Sequence, residues 1–353
     1  MLSRTADHLF WMARYMERAE NTARMLDVNY QTSLLPQSAE VTMQAWKGLL
    51  SISELGADYE KRHGAVSGQA VMDYMVGDPR NPSSIYSCLM AARENARAVR
   101  GALTTEVWET QNQTWLEFDR LFNAGNHSRD PSEFYEWVKF RSHLSRGVTL
   151  GTMLQDEAFH FLRLGTFLER ADNTARLLDV KFHGVQNQGQ GQIQGFGQSQ
   201  GFGPGQSQSQ SQTQSQGYGD AERAAPAPAP NDTEFDFYHW SAILRSMSGF
   251  EVYRKVYRNV IQPEKVAELL ILRADMPRSL AACMDEVVHN LDKVANAQSA
   301  ETVRRAGRLR ADLRYGSIDE ILSTGLHAFL TQFLERVGSI GAGISRDFLV
   351  PSL

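Results

Sequence analysis

Two short stretches hold the residues best suited to chemistry. Residues 17–28 read ERAENTARMLDV and residues 169–180 read ERADNTARLLDV, ten identities in twelve positions at an offset of 152. Each supplies a Glu-Arg pair (Glu17-Arg18, Glu169-Arg170), an asparagine (Asn21, Asn173) and a second arginine (Arg24, Arg176). The planar fork of arginine matches a carboxylate or phosphate bidentately, and a glutamate beside it can orient that fork or accept a proton. On this pattern Glu17 and Glu169 are candidate catalytic groups. Arg18, Asn21, Arg24, Arg170, Asn173 and Arg176 are candidate binding groups for an anionic or amine-bearing substrate. The competing reading is structural, because Glu20 to Arg24 and Asp172 to Arg176 stand i,i+4 and Arg24 to Asp27 stands i,i+3, so an ion-pair ladder can join helices.

Secondary candidates surround this signature. His8 and His160 match at the same offset and would titrate near neutral pH, although a hydrogen-bonded helix histidine is the more ordinary role. Arg14 precedes the first Glu-Arg pair by one turn, and its match is Thr166. Glu157-x-x-His160 and Glu286-x-x-His289 have the spacing used by di-iron helix bundles, which makes these four residues the alternative metal set. Neither pair is duplicated, since Thr5 stands opposite Glu157 and Glu94 opposite His289. No phosphate-binding Gly-rich loop, dinucleotide fingerprint or Gly-x-Ser-x-Gly elbow is present, so no cofactor is expected in this chain.

Helices must position these groups. Leu9, Met12, Met16, Ala19, Ala23, Leu26 and Tyr30 recur at helical spacing, as do Phe161, Leu164, Leu168, Ala171, Ala175 and Leu178. Ser3 is placed to cap the first of these helices, and Arg18 and Thr22 fall opposite its apolar stripe. Pro82, Ser84 and Cys88 match Pro277, Ser279 and Cys283 at an offset of 195, and Trp46 matches Trp240 at 194. The larger offset reflects an insert, residues 184–231. Between Gly184 and Gly219 it holds ten of the chain's 27 glycines and thirteen glutamines, with no charged residue, and an Ala/Pro run follows. Such a composition predicts disorder. The expected architecture is all-α: a tandem-duplicated, pseudo-twofold helical bundle of about ten to twelve helices. The expected units are residues 1–150, then 151–183 with 232–353, separated by the insert.

The chain has 353 residues, 42% of them hydrophobic, and a net charge of -5, which gives no reason to expect nucleic acid. Charges interrupt every apolar stretch, so neither a signal peptide nor a membrane span is expected. Two widely separated cysteines fit a reducing, cytoplasmic setting.

The stretch Leu2 to Val28, LSRTADHLFWMARYMERAENTARMLDV, together with AARENARAVR (Ala91 to Arg100) and DMPRSL (Asp275 to Leu280), resembles the bacterial alpha-E domain. That all-helical family is named for a Glu-Arg motif, which here matches Glu17-Arg18 and Glu169-Arg170. The resemblance extends over essentially the whole chain outside 184–231. Alpha-E proteins accompany a circularly permuted ATP-grasp protein, and often a transglutaminase-like peptidase or a proteasome-like subunit. The resemblance therefore implies an accessory protein or subunit of an ATP-grasp-dependent peptide- or amide-ligating system, with ATP and Mg on the partner. Two alternatives stand beside it: a non-catalytic helical scaffold that recruits the ATP-grasp partner, and a ferritin-like di-iron carboxylate protein. Signature residues that are buried and mutually paired favour the scaffold, whereas a solvent-connected pocket with unpaired arginines favours a binding site.

Overall fold

The computed structural model describes residues 1–193 and 232–349. Sixteen α-helices and no strand occur among the described residues. The first eight are α1 (Ser3–Ser33), α2 (Ala39–Ile52), α3 (Gly56–His63), α4 (Gly68–Gly77), α5 (Ile85–Ala98), α6 (Thr105–Asn123), α7 (Asn126–Arg129) and α8 (Pro131–Thr152). They are followed by α9 (Glu157–Ile193), α10 (Asp232–Ser246), α11 (Phe250–Tyr257), α12 (Pro263–Ile271), α13 (Leu280–Val294), α14 (Ala300–Tyr315), α15 (Ile318–Thr324) and α16 (Leu326–Ile344). The expectation of ten to twelve helices is too low. Pieces such as α3, α7 and α15, with 8, 4 and 7 residues, are too short to show a helical period.

The two longest helices, α1 and α9, form the axis of the molecule. They pack against each other; α5 and α8 cover α1, and α13 and α16 cover α9. The close approach is made where a small residue permits it: a Cβ at Gly165 of α9 would collide with the Phe10 carbonyl oxygen of α1, and Ala13 lies beside it. Enclosed on several sides, α1 is buried at every residue from Ala19 to Asn29, as expected of a central helix rather than an amphipathic surface one. This corrects the placement of Arg18 and Thr22 on a face away from the core: Thr22 is buried, and Arg18 points at α9.

Local signals set several boundaries. Ser84 and Ser279 cap α5 and α13 by accepting from the Ser87 and Ala282 amides, which gives the matched Pro-x-Ser segments a shared job. Asp130 caps α8, whose first residue is Pro131. Ser3 does not cap α1; it is the first helical residue, with extended Leu2 before it. The helix α9 continues to Ile193, ten residues into the segment assigned to the insert from composition. Once a long helix is anchored, each further residue adds a hydrogen bond without a new nucleus. The remainder of that segment, 194–231, lies outside the described residues. No described helix is long and apolar enough to cross a membrane.

Candidate functional site

Where α1 and α9 run side by side, the two Glu-Arg pairs engage each other reciprocally. Arg170 of α9 grips Glu17 of α1 through Nε to Oε1 at 2.8 Å and Nη2 to Oε2 at 2.8 Å. Arg18 of α1 grips Glu169 of α9 through Nε to Oε1 at 2.6 Å and Nη2 to Oε2 at 3.1 Å. Arg14 adds a third donor to Glu169 at 2.7 Å. Glu17 is 1% exposed and Glu169 6%. Both carboxylates are therefore enclosed and filled by fork-shaped donors from the opposite helix.

Around Glu17 the cluster is larger. Glu20, fully buried, accepts from Arg24 at 2.9 Å, from the Ser142 hydroxyl at 2.7 Å, and from Arg146 and Arg278. Arg278 also donates to Glu17 at 3.1 Å and to the Asn21 carbonyl at 2.9 Å, and Arg146 donates to Glu17 at 3.0 Å. Arg24 reaches the Ser248 hydroxyl at 2.6 Å. On the other side of the axis, Arg176 pairs with Asp172 at 2.7 Å and with Glu54. Glu54 and Ser248 are 194 positions apart, and both have positive φ, 55° and 53°. These are two of the three described non-glycine residues in that conformation, each just after a helix, Glu54 holding Arg176 of α9 and Ser248 holding Arg24 of α1.

The electrostatics follow from burial set against arginine. Burial alone would raise Glu17, but Arg170 and Arg278 outweigh it and hold the carboxyl at about 2. Glu20 is likewise kept well below its ordinary value, since Arg278, Arg146 and Arg24 overcome its burial. Arg14 and Arg18 do the same for Glu169. Asp172 goes the other way, because burial raises it by more than Arg176 lowers it. Arg278 is pulled down to about 10 by burial, with Glu20 and Glu17 opposing and Arg170 and Arg24 adding to the effect. A carboxylate held ionised this firmly is a poor proton acceptor at neutral pH.

The remaining candidates fall elsewhere. His8 bonds Asn95 at 2.7 Å and His160 bonds Asn290 at 2.9 Å, a matched arrangement nine residues, roughly 13 Å of helix, before each motif glutamate. They do not flank the Glu-Arg pairs. Asn173 is half-buried at the point of α9 equivalent to Asn21. The ladder step from Arg24 to Asp27 does not form; Asp27 instead takes Lys139 at 2.8 Å, Ser132 at 3.0 Å and Gln31 at 2.9 Å.

The alternative metal set does not assemble. Glu157 pairs with the N-terminal amine, Glu286 with Arg163 and His160 with Asn290, while the His160 and His289 rings stand 6.5 Å apart. Among the described residues no three potential ligands converge. Cys88 and Cys283 are buried thiols.

Residues that the sequence did not nominate complete the cluster: Arg146, Ser142 and His143 of α8, and Arg278 before α13. Arg278 lies in the DMPRSL stretch, but its match at offset 195 is Ser83, and that of Arg146 is Gly341. A search for duplicated polar residues therefore passes over both. Asp27 takes Ser132 and Asp179 takes His327, residues 195 apart in sequence.

Two open clefts flank the axis. One of about 30 Å3 lies between α1, α8 and α9, lined by Glu17, Ser142, Ser145, Arg146 and Arg163. The other, about 250 Å3, lies between α1, α9 and α16, where Trp11, Arg14, Asp172, Val337 and Gly341 face it.

The chain is 28% identical over 142 residues to uncharacterized proteins of Mycobacterium bovis (Mb2597) and Mycobacterium tuberculosis (MT2643 and Rv2567), matching 37% of this chain. It spans only 15% of the length of those relatives. No solved structure matches it. A family described as a predicted alpha-helical domain with a conserved ER motif matches residues 1–349, almost the entire chain. With its two Glu-Arg pairs locked across α1 and α9, the chain belongs to the Alpha-E family.

Proposed function

We propose that this chain is a non-catalytic accessory component of an ATP-grasp-dependent peptide- or amide-ligating system, and that its Glu-Arg signature is a clasp between two copies of one helical unit. The copies would be related by a pseudo-twofold axis between α1 and α9, as residues 1–150 and residues 151–183 with 232–353. The observation that carries this reading is the reciprocal bidentate pairing of Glu17 with Arg170 and Glu169 with Arg18. Both acids are buried and spoken for, which leaves neither available for acid–base work on a substrate. ATP and Mg belong to the circularly permuted ATP-grasp partner, and a transglutaminase-like peptidase is a second candidate neighbour. The action is placed in the cytoplasm, in keeping with two unpaired buried thiols.

The test is reconstitution with a circularly permuted ATP-grasp protein from the same organism, read as co-purification and an ATP-dependent mass shift of a peptide acceptor. The Glu17→Gln and Glu169→Gln variants should ligate in proportion to the fraction folded. Loss of ligation by a variant with native helicity and intact partner binding would return the glutamates to a catalytic role. Failure of the two proteins to associate would remove the partnership.

A further inference from the structure

The two halves solve the same packing problem with different charge balances. Around Glu169 and Asp172, three arginines (Arg14, Arg18, Arg176) meet three carboxylates once Glu54 is included. Around Glu17 and Glu20, four arginines (Arg24, Arg146, Arg170, Arg278) meet only those two carboxylates among the described residues. The balanced half shows that clasping α1 to α9 does not need the surplus. The surplus comes from Arg146 and Arg278, which stand where the other half has Gly341 and Ser83. Arg278 is buried and Arg146 is half-buried, and enclosed positive charge without a counter-charge is costly, so the surplus invites an anion on the side where Arg146 is open.

Hydrogen-bond accounting points the same way. Arg278 donates to the Asn21 side-chain oxygen, which fixes the amide so that its Nδ2 is the other end. That Nδ2 is buried without an acceptor, on a residue only 3% exposed. His143 lies between two guanidiniums, 3.2 Å from Arg24 and 2.6 Å from Arg146. A neutral imidazole accepts through one nitrogen only, so one of those contacts places a donor against a donor. The cluster is short of acceptors as well as of negative charge.

The small cleft supplies access. Arg146, 23% exposed at its side chain, and Arg163, whose Nη2 is held by Glu286 at 2.8 Å, stand along it, with the Ser142 and Ser145 hydroxyls between α1 and α8. Met12, Met16 and Leu150 form its apolar wall. That apolar wall suits an anion carrying an apolar stem better than inorganic phosphate. The equivalent positions in the larger cleft carry Gly341 for Arg146, Val337 for Ser142 and Trp11 for Arg163, and the arginine that does line it, Arg14, is paired with Glu169 and has Asp172 beside it in the lining.

We infer that the cleft between α1 and α8 is a carboxylate-binding site, in which Arg146, Arg163 and Ser142 receive the carboxylate of an apolar amino acid or peptide C-terminus and Met12, Met16 and Leu150 take its apolar stem. The inference stands apart from the ATP-grasp partnership. Its test is calorimetric titration of the full chain with four probes: acetate, a short apolar peptide with a free C-terminus, the same peptide amidated, and inorganic phosphate. The free-acid peptide should bind at least tenfold more tightly than the amidated form, and acetate should compete with it. Arg146→Gln and, independently, Arg163→Gln should each weaken it at least tenfold, while Arg304→Gln, at an exposed position of α14, should not. Arg163 lies outside the Glu17–Glu20 cluster, so its variant remains informative if Arg146→Gln fails to fold. Equal binding of the amidated peptide, preference for phosphate, or unchanged affinity in a folded Arg163→Gln variant would each overturn the assignment. Acetate binding with no peptide binding would also overturn it, reducing the cleft to a general anion trap.

Discussion

Acid should unfold this chain through its buried carboxylates, and the size of the effect follows from the clasp. Glu17 is held at about 2 in the folded chain against an ordinary value of 4.5. As pH falls, the unfolded chain takes up this proton first, so the stability that Glu17 supplies is fully present above about pH 4.5 and is lost as pH drops toward 2. At about 1.4 kcal/mol per pH unit of displacement, Glu17 alone accounts for on the order of 3 kcal/mol. Glu20 and Glu169 shift in the same direction and add to it. Asp172 works against them, because burial raises its carboxyl and acid relieves that cost. Set against a total stability of roughly 5–15 kcal/mol, the loss is enough to dominate acid denaturation. Urea unfolding followed by far-ultraviolet circular dichroism, in steps of about one unit from pH 7 to pH 3, reads it directly. The midpoint should hold steady to about pH 5 and then fall, and Glu17→Gln should remove part of the fall. Stability unchanged down to about pH 3 would refute the reasoning, and so would a loss centred near pH 6–7, which would implicate histidines.

Three further outcomes follow from the same contacts. Glu20→Gln should cost about 3–5 kcal/mol, because it leaves Arg24 without a carboxylate and Glu17 as the single counter-charge for Arg146, Arg170 and Arg278, whereas Asp172→Asn at the matched position should cost about 1 kcal/mol or less, since Arg176 keeps Glu54; thermal melts of the two variants compare them. Gly165→Ala should destabilise by about 1–3 kcal/mol or more by driving a methyl into the Phe10 carbonyl, whereas Gly147→Ala, with open space around it, should change stability by less than about 1 kcal/mol. Chelator treatment should leave the melting temperature unchanged and metal analysis of purified protein should find no stoichiometric iron, because Glu157, His160 and Glu286 are engaged with the N-terminal amine, Asn290 and Arg163.

What the sequence made legible was whatever had been written twice. The repeated twelve-residue signature located α1 and α9, and the matched Pro82/Ser84 and Pro277/Ser279 segments located the starts of α5 and α13. Helical periodicity identified the axis but not its surroundings. Arg18 lies off the apolar stripe of α1, and only the position of α9 turns it inward. The short helices escaped because one or two turns carry no period. The candidate carboxylate site was illegible for the opposite reason: Arg146, Arg163 and Arg278 depart from the repeat, so self-comparison hides them. Glu54 and Ser248 were missed because a left-handed residue after a helix leaves a reliable mark only when it is glycine.

In the proposed function the Glu-Arg signature clasps α1 to α9. A double-mutant cycle on Glu17→Gln and Arg170→Met, measured by urea unfolding, tests it most directly. Each single change should cost about 3–5 kcal/mol, and the pair should cost about 2 kcal/mol less than their sum, because removing both partners leaves fewer stranded groups. Costs that add to within about 0.5 kcal/mol, or single changes costing less than about 1 kcal/mol as exposed ion pairs do, would contradict it.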